Sequence, residues 1–132
     1  PEHYDVVVTS NMFGDIATDL ASVLQGGMGM AGSGNIGDDH AFFEPVHGSS
    51  PKYAGMNKVN PIASINSIQM MMDWLGRKNN DDGLVSISKQ IEASVADHLK
   101  EGKHLTYDLG GDASCSLVGD MISARLAQRL SL

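Results

Sequence analysis

The chain has 132 residues, 42% of them hydrophobic, enough for one domain with one core, which excludes a small disulfide scaffold or a disordered tail. Nine Lys and Arg against 16 Asp and Glu leave a net charge of −7, which argues against a nucleic-acid binder held by broad positive charge. The single Cys115 forms no internal disulfide, five scattered His match no zinc spacing, and no apolar run reaches the ~20 residues of a membrane span, so the composition fits a soluble protein of a reducing compartment. The sequence opens at Pro1 without Met and runs at once into Val6-Val7-Val8, as a fragment, a processed piece or a chain whose leading Met has been removed does.

In chain order, residues 5–10 read as a short buried strand and residues 15–24 as a helix, with Ile16, Leu20, Val23 and Leu24 on one side. Residues 26–37 hold six Gly, too many for a helix, and read as loop with a brief strand at 28–31. A second strand is expected over 41–46, followed by a turn at His47-Gly48-Ser49-Ser50-Pro51. Pro61 suits the first position of a helix with Asn60 as its cap; Ile62, Ile65, Ile68, Met72 and Leu75 form its stripe, and Gly76 ends it. After a polar linker at 77–83, Leu84, Ile87, Ile91, Val95 and Leu99 mark a helix stopping near Gly102. Residues 105–111 connect it to a last helix carrying Val118, Ile122, Leu126 and Leu130. The class is mixed α/β, helix-rich in its second half.

Three groups of residues can carry chemistry. Asp15 and Asp19, four apart on a helix, stack two carboxylates one turn apart; the pair is either a solvated acidic face or part of an oxygen site for Mg²⁺ or Mn²⁺. The stretch from His47 to Gly55 combines small residues with Lys52 and Tyr53, and is either a bare surface turn or a loop that admits a nucleotide, Lys52 meeting a phosphate as a point charge. Glu44, a lone charge in an apolar strand, points either to solvent or into a site with a cationic partner. The Met70-Met71-Met72 run reads as core filler.

The segments Asn11-Met12-Phe13-Gly14-Asp15-Ile16-Ala17-Thr18-Asp19, Gly34-Asn35-Ile36-Gly37-Asp38, Phe43-Glu44-Pro45-Val46-His47-Gly48-Ser49, Ala54-Gly55, Asn60-Pro61 and Thr106-Tyr107-Asp108-Leu109-Gly110-Gly111 follow one another over nearly the whole chain. Together they resemble the metal-dependent β-decarboxylating dehydrogenases, the family of isocitrate, isopropylmalate, homoisocitrate and tartrate dehydrogenases, and its NADP-dependent isocitrate branch most. The resemblance implies an isocitrate/isopropylmalate dehydrogenase-like α/β fold of which this is a C-terminal fragment. Residues 1–25 would end the small, dimer-forming domain with its metal helix, and residues 26–132 would complete the large, cofactor-binding domain.

The resemblance also implies roles. Asp15 and Asp19 would bind Mg²⁺ or Mn²⁺, and Asn11 would contact the cofactor or its surroundings. Gly29 would let the pyrophosphate side approach, and Glu44 would lie near the nicotinamide. His47, in its turn with Gly48, would surround the adenine together with Val59 and Asn60. Lys52 and Tyr53 stand where the family's NADP users tend to carry Lys-Tyr and its NAD users an acidic residue. A cation and a hydroxyl complement a 2′-phosphate, and Tyr107 would add a second hydroxyl. Gly111 departs from this pattern, since an Arg often stands there. The same pair favours isocitrate as substrate, while Glu44-Pro45-Val46 is as common in the isopropylmalate branch, and a catalytically inactive module of the same fold is the alternative of another class. The family's catalytic Lys, Tyr and Arg residues would lie outside this chain. The implied protein is a homodimer acting on a small 2-hydroxy tricarboxylate or dicarboxylate, without nucleic-acid or membrane partners, cytoplasmic or, in a eukaryote, mitochondrial.

Overall fold

A computed structural model describes residues 2–131. Helix α1 (Asn11–Ala21) leads through short 3-10 turns at Ser22–Gln25 and Met28–Met30 into strands β1 (Gly32–Ile36) and β2 (Ala41–Pro45). A third 3-10 turn, Pro51–Tyr53, precedes helices α2 (Ile62–Asn79) and α3 (Asp82–Glu101); a fourth, Tyr107–Leu109, precedes α4 (Cys115–Leu130). The two strands pair antiparallel, with Gly32 opposite Pro45 and Gly34 opposite Phe43. The sheet lies on α2, α2 packs on α3, and α3 on α4. Among the described residues no helix is long and apolar enough to cross a membrane.

The core forms where these layers meet. Met30, Ile62, Val95, Ala113, Val118 and Ile122 are buried together, with Ile65, Leu99 and Leu109 against them. Burying such side chains contributes about 1.5–3 kcal/mol each. The helical stripes predicted for α3 and α4 supply Val95, Val118 and Ile122, as their spacing requires. Asp81 caps α3, its Oδ1 accepting from the Gly83 and Leu84 N–H groups at 2.9 and 3.1 Å, and Gly102 ends it at φ +68°.

The structure corrects the sequence reading at four places. Residues 5–10 form no strand, and Val6, Val7 and Val8 are exposed, Val8 at 91%. No described strand runs beside them, and an extended segment is stabilised only by a neighbour that pairs its backbone. The first helix begins at Asn11 rather than 15 and tightens into a 3-10 turn after Ala21, where the Ser22 hydroxyl donates to the Asp19 carbonyl at 2.7 Å.

The third correction concerns residues 28–31, which form a 3-10 turn, while the strand occupies the glycine-rich stretch that follows. Packing explains it: a Cβ at Gly32 would sit 3.0 Å from the Ser67 amide of α2, and one at Gly34 would sit 3.0 Å from the Phe43 ring. Finally, α2 does not stop at Gly76, and residues expected as a linker extend it. That glycine is the contact point of two helices, since a Cβ there would lie 2.8 Å from the Val85 amide. The helix stops at Asn80, whose φ of +54° is tolerated better by Asn than by most residues.

One buried polar group was not anticipated. His98 is 1% exposed on the inner face of α3, and its Nε2 has no hydrogen-bond partner among the described residues. Burial first, then the Arg125 charge, push its imidazole below the ordinary histidine value, against the opposing influence of the His104 backbone and the Glu101 charge. The folded protein therefore holds His98 neutral where the unfolded chain, with a pKa of about 6.5, takes up a proton. Stability is full above that pH and falls as pH drops below it. Thermal unfolding followed from pH 8 to pH 5 should show a falling midpoint for the wild type and a shallower fall for His98→Gln; parallel slopes contradict this assignment.

Candidate functional site

The residues that the sequence reading singled out fall into two places. The first is built on Asn60, which is buried just before α2. Its Oδ1 accepts the Ile62 N–H at 2.9 Å in a side-chain turn that leads into the helix, but the cap position expected for Asn60 is held by Pro61, without a side-chain cap bond, because α2 starts one residue later than predicted. Its Nδ2 donates to Asp108 Oδ2 at 3.0 Å and contacts Met30 Sδ at 3.5 Å. The other Asp108 oxygen accepts the Thr106 hydroxyl at 2.5 Å. Both carboxylate oxygens are thereby engaged, and Asp108 acts as a strut between the start of α2 and the Tyr107–Leu109 turn.

Around this knot opens a cavity of about 260 Å³, lined by Gly29, His47, Gly48, Ser49, Ser50, Val59, Asn60, Tyr107 and Asp108. That volume lies at the lower edge of the roughly 300–1,000 Å³ of whole-ligand pockets, so it suits one end of an extended ligand. A Cβ on Gly29 would stand 2.9 Å from Asp108 Oδ2 and 3.4 Å from Asn60 Cβ, so only glycine lets this strut close against the Met28–Met30 turn. His47 Nδ1 donates to the Gly48 carbonyl at 2.8 Å, which leaves Nε2 as the acceptor in the neutral ring.

Beside the cavity, the Tyr53 and Tyr107 rings meet at 5.7 Å between centroids. Lys52 Nζ lies 5.7 Å from the Tyr53 ring centre, and Lys58 Nζ lies 4.5 Å from that of Tyr107 and 5.9 Å from that of Tyr53. The Tyr107 hydroxyl first, then the Lys52 charge, hold the Tyr53 phenol below its ordinary value, with Lys58 adding to the effect. A chain of net charge −7 thus gathers two cations and two hydroxyls at one corner, the donor set an anionic oxygen group requires. Six of the predicted cofactor residues, Gly29, His47, Gly48, Val59, Asn60 and Tyr107, line one cavity, and Lys52 and Tyr53 adjoin it. The sequence reading included Ser49, Ser50 and Asp108 in the segments it singled out but gave them no role of their own, and it missed Lys58.

The second place is α1. Asp15 and Asp19 are exposed there, and neither carboxylate has a hydrogen-bond or ion-pair partner among the described residues. No cluster of three or more His, Cys, Asp and Glu exists among the described residues, so these two hard oxygen donors fit a Mg²⁺ or Mn²⁺ shell only in part. Helix α1 packs mainly on the Ser22–Gln25 turn and supplies no residue to the cavity. The described contacts therefore do not bring the carboxylate pair to the His47 turn. Asn11 is likewise exposed on α1, and Glu44 is exposed on β2 opposite Ser33; neither lines the cavity.

A family model described as isocitrate/isopropylmalate dehydrogenase matches residues 1–122. The chain belongs to that family. Among the family's members, a homoisocitrate dehydrogenase of Methanocaldococcus jannaschii is 48% identical over 98% of this chain and 35% of its own length. A 3-isopropylmalate dehydrogenase of Thermobifida fusca is 42% identical over 98% of this chain and 34% of its own. In three dimensions, an isocitrate dehydrogenase from Methylococcus capsulatus superposes with a TM-score of 0.83 at 36% identity, over 95% of this chain and 35% of that one. The chain has the fold of the matching part of an isocitrate dehydrogenase and spans about a third of the length of these relatives.

The Asn60 knot has a stability consequence independent of any ligand. Losing the turn hydrogen bond to the Ile62 N–H costs ~0.5–1.5 kcal/mol, and losing the part-buried bond to the Asp108 carboxylate costs ~1.5 kcal/mol. Asn60→Ala should lower unfolding free energy by about 2–3 kcal/mol in urea titrations, and a loss below ~0.5 kcal/mol, the size of an ordinary surface change, contradicts the strut.

Proposed function

We propose that this chain is the C-terminal part of an NADP-dependent β-decarboxylating dehydrogenase, which oxidises isocitrate and releases carbon dioxide to leave 2-oxoglutarate. In this reading residues 1–25 close the small, dimer-forming domain and residues 26–132 complete the large, cofactor-binding one. The observation that carries it is the corner at which Lys52, Tyr53 and Tyr107 meet beside the cavity built on Asn60. An adenosine end would enter that cavity between His47 and Val59, and its 2′-phosphate would face the Lys52 ammonium and the two phenols. A bare ribose hydroxyl makes less use of those donors, so the corner discriminates between the phosphorylated and plain dinucleotides.

Asp15 and Asp19 would contribute two carboxylates to a divalent ion, Mg²⁺ or Mn²⁺, whose other ligands come from outside this chain and from the substrate. The ion, when bound, would supply Lewis-acid stabilisation of negative charge on the substrate's oxygen. Asn11 and Glu44, outside the cavity, are assigned to the nicotinamide end. The exposed apolar residues Phe13, Ile16 and Leu20 of α1 would be covered by the small domain and its copy in the dimer.

Homoisocitrate is the second substrate reading, favoured by the 48% identity to a homoisocitrate dehydrogenase. The substrate-binding Arg and the proton-transferring Lys and Tyr of the reaction lie outside this chain in either reading.

Calorimetric titration of the 132-residue chain with NADP⁺ and NAD⁺ tests the cofactor assignment. NADP⁺ should bind about tenfold more tightly, the factor that ~1.4 kcal/mol of phosphate contact supplies, and Lys52→Gln should remove most of the difference. Equal affinity of the wild type for both contradicts the assignment. The same chain with isocitrate, Mg²⁺ and NADP⁺ should show no turnover, because the proton-transfer groups are elsewhere; measurable turnover without added protein contradicts the division of labour.

A further inference from the structure

Lys58 is the cation nearest the paired tyrosines, and its position is fixed by its neighbours rather than by its own side chain. Asn57, at φ +52°, is tied to the start of α4: its carbonyl accepts the Cys115 N–H at 2.8 Å, its Oδ1 accepts the Ser116 N–H at 2.9 Å, and its Nδ2 donates to Ser116 Oγ at 2.8 Å. Asn60, two residues beyond Lys58, is tied to α2 and Asp108. The loop is therefore pinned at both ends, and Lys58 leaves it over the Tyr107 ring.

The described ion pairs are Asp73–Arg77, Glu101–Lys103, Glu101–Arg125 and Asp97–Arg129, so the Lys58 ammonium has no carboxylate partner among the described residues. It lines a second cavity together with Tyr107, Gly111 and Asp112, whose carboxylate is not among its ion-pair partners, and Tyr107 also lines the cavity built on Asn60. Gly111 admits no side chain, since a Cβ there would stand 2.0 Å from the Leu105 carbonyl oxygen. No side chain reaches the Tyr107 ring from Gly111, and the cation that stands over that ring is Lys58.

We propose that Lys58 is a specificity-determining residue, the second cation for the cofactor's 2′-phosphate, resting on the tyrosine rings when the site is empty and turning to the phosphate when it fills. This rests on the NADP reading and adds a residue to it. An ammonium on a phenol face is held by the ring's quadrupole alone, whereas a phosphate dianion offers it full charge and hydrogen bonds, so the flexible stem has somewhere better to go. Lys52 and Lys58 would then grip the phosphate from the Tyr53 and Tyr107 sides.

The test is calorimetric titration of the wild-type chain, Lys58→Gln, Lys58→Arg and Lys52→Gln with adenosine 2′,5′-bisphosphate and with AMP. Lys58→Gln should weaken the bisphosphate about tenfold and AMP less than twofold, the loss shrinking at high salt, and Lys58→Arg should retain most of the wild-type preference. If Lys58→Gln weakens both ligands equally, the residue is structural and the proposal is overturned. Should the wild type prefer the bisphosphate and Lys58→Gln keep that preference while Lys52→Gln loses it, Lys58 is excluded and the cofactor reading stands. A wild type that binds the two ligands alike overturns both.

Discussion

The arrangement depends on one saturated amide. Asn60 has a single carbonyl and a single amide group, and the fold uses both: the oxygen ends on the first turn of α2, and the nitrogen reaches Asp108 and Met30. Three segments far apart in sequence are thereby held at one point, which an apolar residue of the same size could not do. Buried polar groups of this kind are costly when unpaired and specific when satisfied. Gly29 belongs to the same constraint, because the strut closes only where no Cβ intervenes. The cavity is the space this knot leaves open.

Charge is arranged around that point against the overall balance. The chain is acidic, yet the loop from Ser50 to Asn60 carries Lys52 and Lys58 and no Asp or Glu. The paired phenols with two ammonium groups beside them make a corner that is apolar on its ring faces and hydrogen-bonding at its edges, the chemistry the proposed cofactor end would use. Farther off, α1 presents its acidic pair and its apolar face to solvent with almost no packing of its own. One corner of the chain is thus closely packed and the other, α1, is largely unpacked, and the chain spans about a third of the length of its relatives.

Much of this was legible in the sequence because it is set by local rules. The α3 and α4 stripes and the Gly102 stop follow from helical spacing and end chemistry, which need no knowledge of distant contacts. What failed depended on partners. Val6 to Val8 have strand propensity but no strand beside them among the described residues, and Gly76 looks like a stop although it is where Val85 closes on α2. A glycine-rich strand at Gly32–Ile36 is invisible until α2 lies on it. His98 was recoverable, since Ile91, Val95 and His98 share one helical face. Asp108 stood in a segment that carried the resemblance but had no role of its own there, Lys58 carried no local signal, and only the meeting of two loops shows what they touch.

The central claim is that this chain by itself assembles the adenosine and 2′-phosphate end of a cofactor site around Asn60. Amide chemical-shift mapping by NMR during titration with NADP⁺ tests it most directly. The account predicts saturable shifts at Gly29, Gly48, Ser49, Asn60, Tyr107 and the Lys52 and Lys58 amides, with Asp15 and Asp19 unmoved. Shifts that miss the Asn60 cavity, or that fall first on α1, would contradict it.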